Sequence, residues 1–280
     1  MGDLAAATEV EQTGPNAFAA ELSPEWEIWG PNGGYLASVA LRAAGVTSER
    51  ARPVSIHAHF VGAGRTGPVQ LRTELNRATK VATSVTVHLE QEGRPWLVAT
   101  VWGADDDLPG LEHQTNDKPA APDPDELPNM DTLMAGKGEP PHAFWRNLEQ
   151  RPLAWIEDWD NREVQEPATS CWVQFVPTST YDDPWIDAGR PLILIDLDAW
   201  SATGRAHVGE LDFYAPTIDV TARFVGSTSA DAWLLSEAAA PAAGNGVIAA
   251  TGKVWSRDRE LIAVGGSTLL SRPAARRPDK

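Results

Sequence analysis

Apolar and polar residues alternate in short runs in two distant parts of the chain. In "PVSIHAHFVG" (53–62) and "TIDVTARFVG" (217–226) the alternation closes on a shared Phe-Val-Gly, which is the period of a strand with one buried face. Similar runs predict strands at about 68–77, 81–91 and 94–104, and again at about 231–240, 246–256 and 260–270. "EGRP" and "SRDRE" separate the last two runs of each set as hairpin turns. Ahead of each set lies a segment apolar on most sides, "PNGGYLASVALRAAG" and "GRPLILIDLDAWSA". These predict buried helices at about 34–44 and 191–202.

The two sets are separated by a constant 164 residues, which also pairs "LVA" (97–99) with "LIA" (261–263). A fixed offset over some fifty residues reads as an internal duplication. Antiparallel strands leave one sheet face apolar and a single apolar helix fills it. The expected fold is therefore α+β: a long central helix wrapped by an antiparallel sheet, made twice. Residues 1–104 form the first unit and 168–280 the second. Between them, 105–167 opens with the acidic, proline-rich "DDDLPGLEHQTNDKPAAPDPDELPNMD" and reads as a surface linker. Its aromatic end, "HAFWRNLEQRPLAWIEDWD", packs against a unit or starts the second one.

Composition narrows the function classes. Of 280 residues, 42% are apolar and 22% charged, as in a folded globular protein. No apolar run reaches a membrane span, and "MGDLAAATEVEQTGPNAF" lacks a secretion signal. Cys171 is the single cysteine, which rules out an internal disulfide or a cysteine-built zinc site. A cytoplasmic protein is the default expectation. The net charge of −16 argues against nucleic acid or an anionic membrane as partner. A small anionic ligand responds to local charge, and Arg65, Arg72, Arg77 and Lys80 cluster in one stretch.

A helix swaddled by an antiparallel sheet, made twice, resembles the tandem hot-dog proteins of the acyl-CoA thioesterase II family. "PNGGYLASVALRAAG", "TIDVTARFVG" and the hairpin "GKVWSRDRELIAV" carry the resemblance. It implies hydrolysis of an acyl-CoA to free acid and CoA by carboxylate-activated water, with no cofactor and no metal. Amides at the Gly33–Gly34 turn would polarise the thioester carbonyl at a helix N-terminus; the alternative is that these glycines permit packing on Trp26 or Trp29. The resemblance puts the general base at Asp219, with Ser55 at the matching place of the first unit. A supporting hydroxyl is absent from "EAAAPAAGNG" (237–246), and the family's glutamine near the chain end becomes Ser267. Thr268 and Asn245 are neighbouring candidates. Asn32, Tyr35, Arg65, Trp200 and Asn245 are expected to bind substrate, Trp200, Tyr35 and Leu36 lining an acyl tunnel. Homo-oligomers of such tandem chains are compatible with the resemblance.

Other chemistries have less support. His57 and His59 share a strand face, yet no carboxylate pair or cysteine completes a metal site. There is no G-x-S-x-G elbow, and the glycines of "VGAGRTGP" precede a strand rather than a helix. Two further readings stay open: an acyl-CoA-binding protein without catalysis, and a hot-dog dehydratase.

Overall fold

The computed structural model describes residues 1–274 apart from 107, 116–118, 139–141, 160 and 210–211. The first half comprises α1 (Leu4–Ala7), β1 (Glu11–Gly14), β2 (Ala17–Leu22), α2 (Gly33–Ser48), β3 (Arg52–Phe60), β4 (Gly67–Ala78), β5 (Ala82–Gln91) and β6 (Arg94–Ala104). A short helix, α3 (Met130–Leu133), lies in the connection. The second half comprises β7 (Leu148–Pro152), β8 (Ala168–Phe175), α4 (Pro184–Asp187), α5 (Gly189–Leu197), α6 (Ala199–Arg205), β9 (Phe213–Tyr214), β10 (Thr217–Phe224), β11 (Trp233–Gly244), β12 (Val247–Trp255), β13 (Leu261–Leu270) and β14 (Arg272–Pro273). No helix among the described residues is long and apolar enough to cross a membrane.

One twelve-stranded sheet runs β1-β2-β4-β5-β6-β3-β10-β13-β12-β11-β8-β7, antiparallel throughout, and β9 and β14 form a separate pair. The order reads the same from both ends once each strand is replaced by its copy in the other half. At the seam β3 pairs with β10, and His57 faces Thr221. These two residues are each other's counterparts at the 164-residue offset, so the internal two-fold axis passes between them. The tandem hot-dog expected from the sequence is the fold observed. The offset also relates β6 to β13. Within the hairpins it drifts and returns: Ala99 faces Val87, whereas its counterpart Ala263 faces Val254.

Both helices lie on one side of this sheet, against each other. Nearly every residue of α2 from Gly34 to Ala44 is buried, because the sheet covers one side and α5 the other. The helices are antiparallel and in backbone contact. A Cβ on Gly34 would come within 2.6 Å of the Ile193 Cα, and one on Gly189 within 3.2 Å of the Ser38 Oγ. These reciprocal contacts make Gly34 the counterpart of Gly189 and Ser38 that of Ile193. At the start of α5 the fully buried Arg190 pairs with Asp187 at 2.6 Å and donates to the Thr228 carbonyl. This anchors the helix to the β10–β11 loop.

The structure corrects several sequence expectations. The first helix continues to Ser48 rather than ending at 44. The second begins at Gly189 rather than 191 and is interrupted for one residue at Asp198. The edge strands β1, β2, β7 and β8 were not anticipated, because they are short or fall in stretches without clear alternation. The linker is more than a surface tether. Phe144 is fully buried in the main core, and β7 extends the sheet. Ala121 joins Trp172, Trp233, Leu235 and Trp255 in a small cluster of their own. Trp172 Nε1 donates to the Pro122 carbonyl at 3.0 Å, and Arg257 pairs with Asp123 at 2.8 Å. Its acidic proline-rich text thus serves to cap aromatic residues of the second half.

Candidate active site

The first turn of α2 carries four amides without partners inside the helix, and three of them are used. The Asn32 side chain caps the helix by accepting from the Tyr35 amide at 2.9 Å, and the Asn32 amide itself donates to the Trp26 carbonyl at 3.0 Å. The Gly34 amide donates at 3.0 Å to Oδ2 of Asp196, a residue of α5 in the other half. The Gly33 amide alone has no acceptor among the described residues, and it lies at the positive end of the helix dipole. A Cβ on Gly33 would lie 2.7 Å from the Asp196 carboxylate and 3.1 Å from the Phe60 ring. Glycine therefore lets the carboxylate sit directly against the turn.

Asp196 is 7% exposed. Its second oxygen accepts from the Thr217 hydroxyl at 2.9 Å. A β-bulge makes this bond available. Along β10 the register shifts between Thr217, opposite Leu269, and Asp219, opposite Thr268. The bulge turns Thr217 toward the helices with Leu269, whereas unbroken alternation would point it away. β3 carries the matching shift between Pro53 and Ser55.

Burial drives the Asp196 carboxyl up to about 6. The Thr217 and Gly34 hydrogen bonds, which favour the ionised form, pull the other way, and the negative charge of Asp219 adds to the rise. A carboxylate with such a pKa accepts a proton readily near neutral pH. On the adjacent strand β13, Ser267 is 4% exposed and its hydroxyl has no hydrogen-bond partner among the described residues. Like Leu269, it faces the helices.

The residues expected from sequence fall in three groups. Asn32, Gly33 and Gly34 build the turn, and both glycines also have packing reasons, although the packing is on Asp196, Phe60 and the α5 backbone rather than on Trp26 or Trp29. Ser267 and the half-buried Trp200 lie on the same side of the sheet as Asp196. The others lie elsewhere. Asp219 is half-buried beside His59 and Thr268, on the sheet face away from the helices. Tyr35 is a core residue: its hydroxyl donates to the Ala7 carbonyl at 2.8 Å and accepts from the Ser23 amide at 3.0 Å, and its ring stacks on Trp26. Arg65 is exposed and paired with Glu92 at 2.7 Å. Asn245 has φ 53° and begins the two-residue turn that joins β11 to β12, ahead of Gly246 at φ 78°, so it is there for its left-handed backbone. Among the described residues no group of three or more His, Cys, Asp or Glu is placed to hold a metal.

Sequence reasoning passed over Asp196 and Thr217. The signal was an aspartate inside "RPLILIDLDAW", three and four residues after Ile193 and Leu192 on a buried helical face. In the first half the same positions are Leu41 for Asp196, Pro53 for Thr217 and Gly103 for Ser267, so this constellation occurs in the second half and not in the first.

Solved structures share this architecture. A Thermobifida fusca protein assigned to thioesterase II superposes with a TM-score of 0.80 at 21% identity, over 97% of this chain and 98% of its own. Acyl-CoA thioesterase II TesB2 from Mycobacterium marinum gives 0.79 at 21%, over 98% and 99%. A hot-dog protein of unknown function from Alicyclobacillus acidocaldarius gives 0.78 at 19%, over 97% and 98%. No curated protein sequence matches the chain. The profile of the acyl-CoA thioesterase N-terminal domain matches residues 22–104, and that of the C-terminal domain residues 117–267. With most of its length covered by these two profiles and the duplicated fold they require, the chain belongs to the acyl-CoA thioesterase family.

Proposed function

We propose that the chain hydrolyses acyl-CoA thioesters without a cofactor, with Asp196 as general base and the Gly33 amide as donor to the thioester oxygen. The observation that carries this reading is a buried carboxylate of one half, its pKa raised to about 6, held against the helix N-terminus of the other beside an amide with no acceptor. Asp196 takes a proton from water as the hydroxide attacks the carbonyl carbon. Negative charge develops on the carbonyl oxygen, where the Gly33 N–H and the α2 dipole stabilise it. Collapse breaks the C–S bond, the CoA sulfur leaves, and the proton on Asp196 passes to it.

Thr217 keeps the carboxylate aimed and favours its ionised form. It supplies Asp196 with a supporting hydroxyl from the start of β10, two residues before Asp219. Ser267 offers a hydroxyl without an internal partner to the water or the acyl oxygen. Asp219 contributes its charge from beyond the bulge.

Release of free CoA from a panel of acyl-CoA substrates tests the proposal. The wild type should turn over at least one of them. Asp219→Asn should keep activity within about threefold, and Thr217→Val should lose roughly tenfold, the worth of one hydrogen bond to a charged group. Thr217→Val should also move the acid limb of the kcat/KM profile to higher pH, because the lost bond favoured the carboxylate. Loss of activity in Asp219→Asn with full activity in Thr217→Val would return the base to Asp219. Tight binding of a non-hydrolysable thioether analogue with no turnover of any thioester would make the chain a binding protein instead.

A further inference from the structure

An indole of the second half, packed against α2 and β6 of the first, occupies a place whose two-fold equivalent is a cavity. Trp185 of α4 lies across α2 and β6. A Cβ on Gly45 would come within 2.7 Å of its ring and one on Gly103 within 3.0 Å of both the ring and the Ser48 Oγ. Its Nε1 donates to the Arg50 carbonyl at 2.9 Å. The internal two-fold carries Gly45 and Ser48 onto Trp200 and Thr203, and Gly103 onto Ser267. Trp200 and Thr203 line a cavity of about 210 Å³, with Ile248, Val247, Phe213 and Ser271 among its other walls.

The cavity lies close to the site along the chain, since two of its walls, Trp200 and Thr203, come shortly after Asp196. Trp200 and Thr203 follow Asp196 by four and seven residues, on the far side of the one-residue interruption at Asp198. Leu269, two residues from Ser267 on the same face of β13, pairs with Ile248 and clusters with Ala199 and Ala202. Small apolar side chains thus pack between α6 and β13 beside the cavity.

We infer that this cavity seats the acyl group of the substrate, and that the preferred acyl group is compact, a single aromatic ring with a short spacer rather than a long fatty chain. The inference rests on the thioesterase reading and deepens it. Two sizes support it. An enclosed apolar cavity of roughly 150 Å³ admits a benzene, and the pocket here, which opens to solvent, is somewhat larger at about 210 Å³. The same space across the two-fold is taken by an indole. It lies below the ~300–1,000 Å³ of pockets that enclose a whole drug-sized ligand, so the CoA portion stays outside it.

Kinetics with acetyl-, phenylacetyl- and palmitoyl-CoA provide the test. The wild type should favour phenylacetyl- over palmitoyl-CoA at least tenfold in kcat/KM. Ile248→Trp, which fills the cavity, should reduce the phenylacetyl-to-acetyl ratio at least tenfold. Trp200→Ala, at a half-buried position, should raise the palmitoyl-to-phenylacetyl ratio at least tenfold and keeps the test alive should the first variant fail to fold. A wild-type preference for palmitoyl-CoA, or unchanged ratios in the folded variants, would overturn the inference. Should no thioester be hydrolysed, the thioesterase reading fails on its own. Calorimetry with S-benzyl-CoA then decides the cavity: tenfold weaker binding in either folded variant supports it, and equal affinity overturns it.

Discussion

Replacing Asp196 by asparagine will lower kcat on acyl-CoA by about 10²–10⁴-fold, the range set by loss of a general base, and will make the protein more stable above pH 6. Both effects come from one group. Asparagine is nearly isosteric: its oxygen still accepts from the Gly34 amide, and its NH₂ donates to the Thr217 oxygen once that hydroxyl rotates. What disappears is a charge held where burial opposes it, which raises the folded pKa to about 6 from 3.8. Between those values the native protein keeps a proton that the unfolded chain has released. Wild-type stability therefore falls as pH rises from about 4 to about 6 and stays at the lower level beyond, the reverse of a salt-bridged carboxylate. Two pKa units at 1.36 kcal/mol each bring the gain in Asp196→Asn to roughly 3 kcal/mol at pH 7–8, vanishing below pH 4. Denaturation of both proteins across pH 4–8 measures the difference. Curves that stay parallel over the whole range would mean that Asp196 carries no strained charge. Wild-type kcat/KM should rise through about pH 6 to a plateau, as ionisation of the base requires.

The second large effect is expected from adding a single methyl group. Gly34→Ala places its Cβ 2.6 Å from the Ile193 Cα and 3.1 Å from the Leu192 carbonyl oxygen. Both are backbone atoms of the opposing helix, so no rotamer change relieves the clash, and the helix pair must separate inside a close-packed core. A loss of about 3 kcal/mol is expected, which lowers Tm by roughly 6–12 °C in a protein of this size. Gly33→Ala is its informative neighbour. There the Cβ meets side-chain atoms, the Asp196 carboxylate and the Phe60 ring, which can move. That variant should lose activity at least tenfold while keeping most of its stability. Gly110→Ala, with nothing within 4 Å, is the control and should leave Tm unchanged. Thermal melts of the three variants separate these outcomes, and a Gly34→Ala protein as stable as Gly110→Ala would contradict the helix contact.

The duplicated fold was legible because it is written redundantly. Alternation in 53–62 and 217–226, the repeated offset and two all-apolar helical segments each point to the same answer. The glycine turn was legible too, since two glycines opening an apolar helix demand a reason. The carboxylate was harder to read. Asp219 attracts notice because it stands in a motif of strand residues, whereas Asp196 looks like a blemish in the run "LILIDLD". Its partners, Gly34 and Thr217, lie far from it in the chain, and Thr217 reaches it only because a bulge reverses the strand's facing. Strict alternation predicts the opposite side, and a bulge of one residue leaves no mark in a hydrophobic pattern. Tyr35 and Asn245 illustrate a related limit of pattern: a tyrosine beside a glycine turn and an asparagine in a loop look like ligand contacts until their own hydrogen bonds and backbone angles are known.

By itself, then, the sequence determined the local periodicities, the duplication and the buried helix with its glycine start, because each is a property of neighbouring residues or of a repeat along the chain. Only the tertiary structure decided which acid meets the glycine turn, which hydroxyl reaches that acid and where a pocket stays open. Those depend on how two antiparallel helices approach to backbone contact and on which side of a bulge a hydroxyl emerges. They also depend on the indole of Trp185, which fills in one half the volume left open in the other. Distances between residues remote in sequence set all three, and a hydrophobic pattern carries no information about them.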